Sequence, residues 1–218
     1  MAPEQDKPAH QAVAAPAPGR LELVRAFVNT LDIEAGTDEF SSPHALDSWL
    51  RERDLTEPAA PASPAAEADL RRAIAMREGF REVLLTHVPA HDGSPSGPPP
   101  SGLAELRAAA EGLVARLTIA DDGTVRTTPA GQGAAYGLAE LMLIAAEAAT
   151  SGTWDRLKVC SADDCRWAFY DRSPTRSGCW CSMAVCGSRA KSRAFRRRAA
   201  GGRISRTARS EAASSAAS

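Results

Sequence analysis

The sequence predicts a mainly α-helical N-terminal domain carrying one small β-hairpin, an α+β body, followed by a small C-terminal module built on four cysteines and a basic helix. Three observations predict it. Apolar residues recur at helical spacing through five segments before residue 150. Two β-branched runs flank Asp121-Asp122-Gly123, a short-range hairpin signal. Four of the five cysteines form two matched pairs in the last third of the chain. Charge divides the same way. Residues 151–218 hold 14 Lys/Arg against 5 Asp/Glu and residues 1–150 hold 12 against 22, so the net charge of -1 conceals an acidic body and a basic end. A chain of 218 residues suffices for one medium domain plus a small module.

Residues 1–19 are rich in proline and alanine and are expected to be a disordered tail. They have neither a basic n-region nor a leucine-type apolar stretch, so no secretory leader is expected. The body is assigned to 20–153. Leu23, Phe27 and Leu31, at steps of four, with Val24 and Val28 beside them, predict a first helix through LELVRAFVNTLDIE. Asn29, Thr30 and Asp32 interrupt its apolar face, and two roles stand open: lining a ligand pocket, or capping the helix end. GTDEFSSP reads as a turn. PHALDSWLRERDL reads as a second helix with Leu46, Trp49 and Leu50 on one side, Ser42 as N-cap and Pro43 at the first helical position.

Flexible proline-rich loops are expected near 56–66 and 88–102. Between them Glu67 to Thr86 reads as a long helix, with Leu70, Ile74 and Leu84/Leu85 on apolar faces and Arg77/Glu78 and Arg81 on charged ones. A helix from Gly102 to about Glu111, the hairpin, and an apolar helix from Gly133 to Ala149 complete the body. The longest apolar run, Leu138–Ala149, is broken by Glu140 and Glu147 and is too short to span a bilayer. A cytoplasmic location is therefore expected, where thiols stay reduced and clustered cysteines favour metal over disulfide.

The C-terminal module is assigned to 154–200, with a disordered tail at 201–218. Cys160/Cys165 and Cys181/Cys186 each enclose four residues, and fifteen separate the pairs. Two such clips suit one tetrahedral zinc ion. Four thiolates leave no open position, so the ion is structural, and a module of fewer than about 40 residues needs such a staple to fold. LKVC and RWAFYD read as strands around the first clip, and Trp167, Phe169 and Tyr170 supply a miniature core. Cys179 stands apart: it is a substitute ligand for Cys181, a redox trigger, or a small residue tolerated beside the site. Gly187 suits a tight turn and Ser188 a helix cap. Arg189, Arg193, Arg196 and Arg197 then fall along one helix side, with Lys191 and Arg198 broadening it and Ala190, Ala194 and Phe195 turned towards the zinc module. A rigidly held cationic face suits a polyanion, duplex DNA first. RNA binding through Trp167, Phe169 or Trp180 as stacking platforms, and docking to an acidic protein surface, are the rival readings.

No Gly-rich phosphate loop, GxSxG elbow or metal-spaced carboxylate pair occurs, so a non-enzymatic role is expected. His44, His87 and His91 read as surface residues. The two-part layout motivates, as a hypothesis, a small-molecule effector for the body.

CSADDCRWAFYD and CWCSMAVCGSRAKSRAFRRR together resemble the bacterial zinc-finger family named for its Cys-Gly-Asn-Arg motif. The resemblance implies zinc ligation by Cys160, Cys165, Cys181 and Cys186 and DNA binding by the basic stretch from Arg189. That family carries an N-terminal ABATE domain, described as a stress-induced transcription regulator. ELVRAFVNTLD, SWLRERDL and LIAAEAATSGTWDRLKVC are similar to it. Two positions depart from the pattern: Ser188 stands where the motif has asparagine, and Cys179 where a basic residue is common.

Overall fold

The computed structural model describes residues 15–57, 64–89 and 100–196. The body's helices are α1 (Leu21–Val28), α2 (Pro43–Arg51), α3 (Glu67–Thr86), α4 (Pro100–Ala110) and α5 (Ala134–Thr150). Three antiparallel strand pairs accompany them: β1 (Leu31–Asp32) with β2 (Thr37–Asp38), β3 (Val114–Ile119) with β4 (Val125–Ala130), and β5 (Leu157–Val159) with β6 (Ala168–Tyr170). A π-helical turn, Met183–Gly187, leads into a last helix, α6, at 188–196.

The core follows from the helical repeats. Phe27 of α1 is its hub, with ring centroids 5.6 Å from Phe40, 5.6 Å from Trp49 and 6.4 Å from Phe80. Leu46 and Leu50 of α2, Met76 and Leu84 of α3, and Leu138, Leu141 and Ile144 of α5 surround it. As expected, Ser42 caps α2, its Oγ accepting the Ala45 N–H at 3.2 Å with Pro43 in the first turn. α3 and α4 pack at glycine contacts: a Cβ on Gly79 would lie 2.6 Å from Leu106 Cβ. The Asp121-Asp122-Gly123 turn forms, with Gly123 at φ +80° and its N–H on Ala120 O at 2.8 Å. Leu117, Ile119 and Val125 stand exposed on that hairpin.

Several expectations are corrected. α1 ends at Val28, and Leu31 belongs to β1, because Asn29 and Thr30 use their side chains outside a helical continuation. GTDEFSSP is more than a turn: Thr37–Asp38 pairs back on β1 and Phe40 enters the core. The charged face predicted for α3 turns inward at Arg77 and Arg81, which are 2% and 6% exposed. α4 begins at Pro100, two residues before Gly102. Ala17, within the stretch expected as a tail, is buried, and Arg172 donates to Pro16 O at 2.7 Å. Residues 1–14, 201–218 and the central parts of both expected loops, 58–63 and 90–99, lie outside the described residues.

The β5–β6 ribbon positions the site. Its period of two puts Leu157, Val159 and Ala168 into the body's core, with Tyr170 against it. The opposite face, with Trp167 and Phe169, joins the cysteines in a second apolar cluster. Tyr170 therefore serves the body rather than the miniature core predicted for it.

Candidate metal centre and basic helix

Each clip of cysteines is shaped by local hydrogen bonds. Cys160 continues the ribbon beyond β5, its N–H on Trp167 O at 2.9 Å. The chain then turns, with the Cys165 and Arg166 N–H groups both on Ala162 O at 3.0 Å and Arg166 at φ +52°. The second clip is the π-helical turn. Ser182 caps it, its Oγ accepting the Val185 N–H at 3.3 Å, and Gly187 N–H returns to Ser182 O at 3.0 Å. Ser161 N–H donates to Cys179 O at 3.0 Å and joins the segments.

The four predicted sulfurs converge. All lie within 4.8 Å of one another and are buried. Cys165 Sγ is 3.6 Å from Cys181 Sγ, which is 3.7 Å from Cys186 Sγ. A tetrahedron with zinc–sulfur bonds of about 2.3 Å has edges of about 3.8 Å, so the donor set fits one zinc ion. Hydrogen bonds from Cys165 and then Cys181 hold Cys160 down, hydrogen bonding to Cys160 pushes Cys165 and Cys181 up, and burial pushes Cys186 up. A dication would take all four as thiolates.

The ABATE model, described as "Putative stress-induced transcription regulator", matches residues 21–152, and the CGNR zinc-finger model matches 156–199. The chain belongs to the ABATE family. No curated protein matches it. The four-cysteine cluster is thus the zinc centre of a CGNR finger.

Cys179 is outside the cluster. Its Sγ faces Ser177 O at 3.3 Å, and burial pushes its thiol up. It does not take the place of Cys181. In the Cys186-Gly187-Ser188-Arg189 run of this CGNR finger, Ser188 is not the cap. Its hydroxyl donates to Met183 O at 3.3 Å, and Ser182 does the capping expected of it. Gly187 serves packing rather than a left-handed turn: a Cβ there would meet Met183 Sδ at 3.0 Å.

The basic helix is held at two places, against the ABATE body through Arg189 and against the finger's own first cysteine clip through Arg193. Arg189 donates to Glu34 Oε1 at 2.7 Å, and Arg193 to Asp164 Oδ2 at 3.1 Å. Lys191 and Arg196 are exposed, and Arg197 and Arg198 lie outside the described residues. An open depression of about 640 Å³ lies along α6, with Ala184, Ser188 and Ser192 and the arginines Arg189, Arg193 and Arg196 among the residues lining it. Phe195, expected against the zinc module, is 72% exposed, because α6 leaves the finger's core after Gly187.

Sequence reasoning missed three groups that hold the site. Asn29 does cap α1, its N–H on Arg25 O at 3.1 Å, but its side chain reaches much further than a cap: Nδ2 donates to Ala168 O at 2.9 Å and Oδ1 accepts the Ala168 N–H at 2.7 Å, clasping β6. Thr30 and Asp32 do serve their own turn, bonding Phe27 O and Ala35 N–H, each at 2.9 Å. His87 is half-buried rather than a surface residue, with Nδ1 2.8 Å from Leu157 O and its ring edge-on to Trp154. His44 is exposed, and His91 lies outside the described residues. Lys158 and Asp171 form a buried ion pair at 2.8 Å within the finger. Burial opposes the Asp171 charge, but Lys158 and the N–H groups of Ser173 and Gly178 overcome it and hold its carboxyl well below the carboxylate range.

Proposed function

We propose that the protein is a cytoplasmic DNA-binding regulator of transcription that grips duplex DNA through α6 and the depression along it. The observation that carries this reading is the depression lined by Arg189, Arg193 and Arg196 on a helix that follows directly on the last zinc ligand. Arg189, Lys191, Arg193 and Arg196, with Arg197 and Arg198 beyond, are the contact residues, most of them to phosphate because backbone contacts outnumber base contacts. The Ser192 hydroxyl, which also lines the depression, adds a neutral donor for a phosphate oxygen. The family's description as transcription regulators supports the same reading. The helices of the described residues include none long and apolar enough to cross a membrane, which accords with a nucleoid partner. Trp167 and Phe169 are buried in the zinc module, which removes two of the three stacking platforms that RNA recognition would use. The zinc would serve structure rather than catalysis, since four thiolates complete its tetrahedron.

The test is selection of bound duplexes from a random library by the zinc-loaded full chain, followed by affinity against salt. Four phosphate contacts give a log–log slope of about -3.6, and Arg196→Ala flattens it by about 0.9. Absence of duplex binding at low salt, or a slope near zero, overturns the reading.

A further inference from the structure

The ribbon strand β5 carries a lysine that does not reach solvent. Lys158 is 1% exposed, and its ammonium makes three hydrogen bonds: to Asp171 Oδ2 at 2.8 Å, Arg176 O at 2.6 Å and Gly178 O at 3.2 Å. Asp171 completes the arrangement by accepting the Ser173 N–H at 2.9 Å on Oδ1 and the Gly178 N–H at 2.8 Å on Oδ2. A Cβ on Gly178 would sit 2.9 Å from the Asp171 carboxyl carbon, so glycine is required for this approach.

We infer that the Lys158–Asp171 pair is a positioning device for the zinc centre, fixing the loop 171–178 so that Cys181 arrives as a ligand and Cys179 is held aside. Burying two charges is costly, and apolar residues of similar volume would fill the space with no desolvation penalty. What only the charges supply is direction. They satisfy the carbonyls of Arg176 and Gly178 and the amides of Ser173 and Gly178, the groups that shape the loop. The loop ends at Cys179, whose carbonyl is bonded to Ser161 N–H beside Cys160. The pair thereby sets the separation of the two clips from beneath, although neither residue touches a sulfur. Outer groups that orient metal ligands commonly govern affinity by 10- to 100-fold.

Lys158→Met and Asp171→Asn in the full chain test this, read by chelator competition for zinc, by the cobalt(II) ligand-field spectrum, and by amide exchange in α1, α3 and α5. Both variants should bind zinc about 10- to 100-fold more weakly and lose the four-thiolate cobalt spectrum at wild-type metal concentrations, while amide protection of the three helices, read with zinc in saturating excess, is kept. Zinc affinity within about twofold of wild type in either variant overturns the inference. So does weakened zinc binding accompanied by a loss of helix protection that saturating zinc does not restore, which would make the pair a general stabiliser of the fold.

Discussion

Five cysteines and one ion pose a choice at the level of single residues, and geometry resolves it. Cys181 shares the buried cluster, whereas Cys179 bonds Ser177 O two residues earlier. Cys181→Ser is therefore expected to abolish the four-thiolate cobalt spectrum and zinc retention, and Cys179→Ser to leave both as in wild type. Loss of zinc from the Cys179 variant would mean that this thiol ligates. The four ligands were legible because their chemistry depends on residue type and short spacing, both written locally. Asn29, Lys158 and Asp171 were not. Asn29 finds its partner 139 residues away, and a lysine in an alternating strand reads as a solvent-facing position. Ser188 misled for a related reason: capping depends on where the turn begins, and the π-helical turn begins at Ser182.

The long helix α3 carries the clearest departure from sequence pattern at the scale of elements. Its limits, Glu67 to Thr86, follow the predicted ones, yet two of its arginines point inward. Arg77 holds Asp38 of β2 through paired bonds of 2.7 and 2.9 Å. Arg81 donates to Val28 O at the end of α1 at 2.7 Å and to Leu31 O at 3.2 Å. A hydropathy pattern assigns arginine to water, but a buried guanidinium with a carboxylate and free helix carbonyls within reach bonds its terminal nitrogens there, although Arg81 Nε is left without a partner among the described residues. Burial tends to raise the Asp38 carboxyl, but the Arg77 bonds prevail and leave it below its ordinary value. A depressed folded-state value means stability that is present above the unfolded carboxylate range and lost as pH falls through the folded one. Asp38→Asn should therefore lower the urea midpoint at pH 7 and narrow its gap from wild type as pH falls below about 4. A constant gap across that range would show that the charge is not the source. On α6, the Glu34 carboxylate occupies the Arg189 guanidinium that the proposed function gives to phosphate. Glu34→Gln should raise duplex affinity and steepen the salt slope by up to about 0.9; unchanged binding would place Arg189 outside the DNA contacts.

Across the whole molecule, the two-part layout and the split of charge were legible in composition, but the union of the parts was not. Leu157, Val159 and Ala168 belong to the same core as Phe27, Phe80 and Leu84, and Asn29 and His87 bond the backbone of the ribbon from the body side. The ribbon is thus one wall of the body and one wall of the zinc centre, with the cysteines on its far face. Such sharing couples metal to the distant helices. Zinc binding to the folded chain stabilises everything that unfolds with the ribbon, by an amount that grows with zinc concentration over its dissociation constant. Chelation is therefore expected to lower the melting temperature seen by the body's own probes, Trp49 fluorescence and the amide protection of α1 and α3, together with the loss of order in 160–187. A small domain of this kind melts about 2–4 °C lower for each kcal/mol removed, so a strongly held ion displaces the transition by well over that. If the body's transition stayed in place while only the finger lost protection, the ribbon would be a passive tether, and zinc status would not reach the ABATE helices at all.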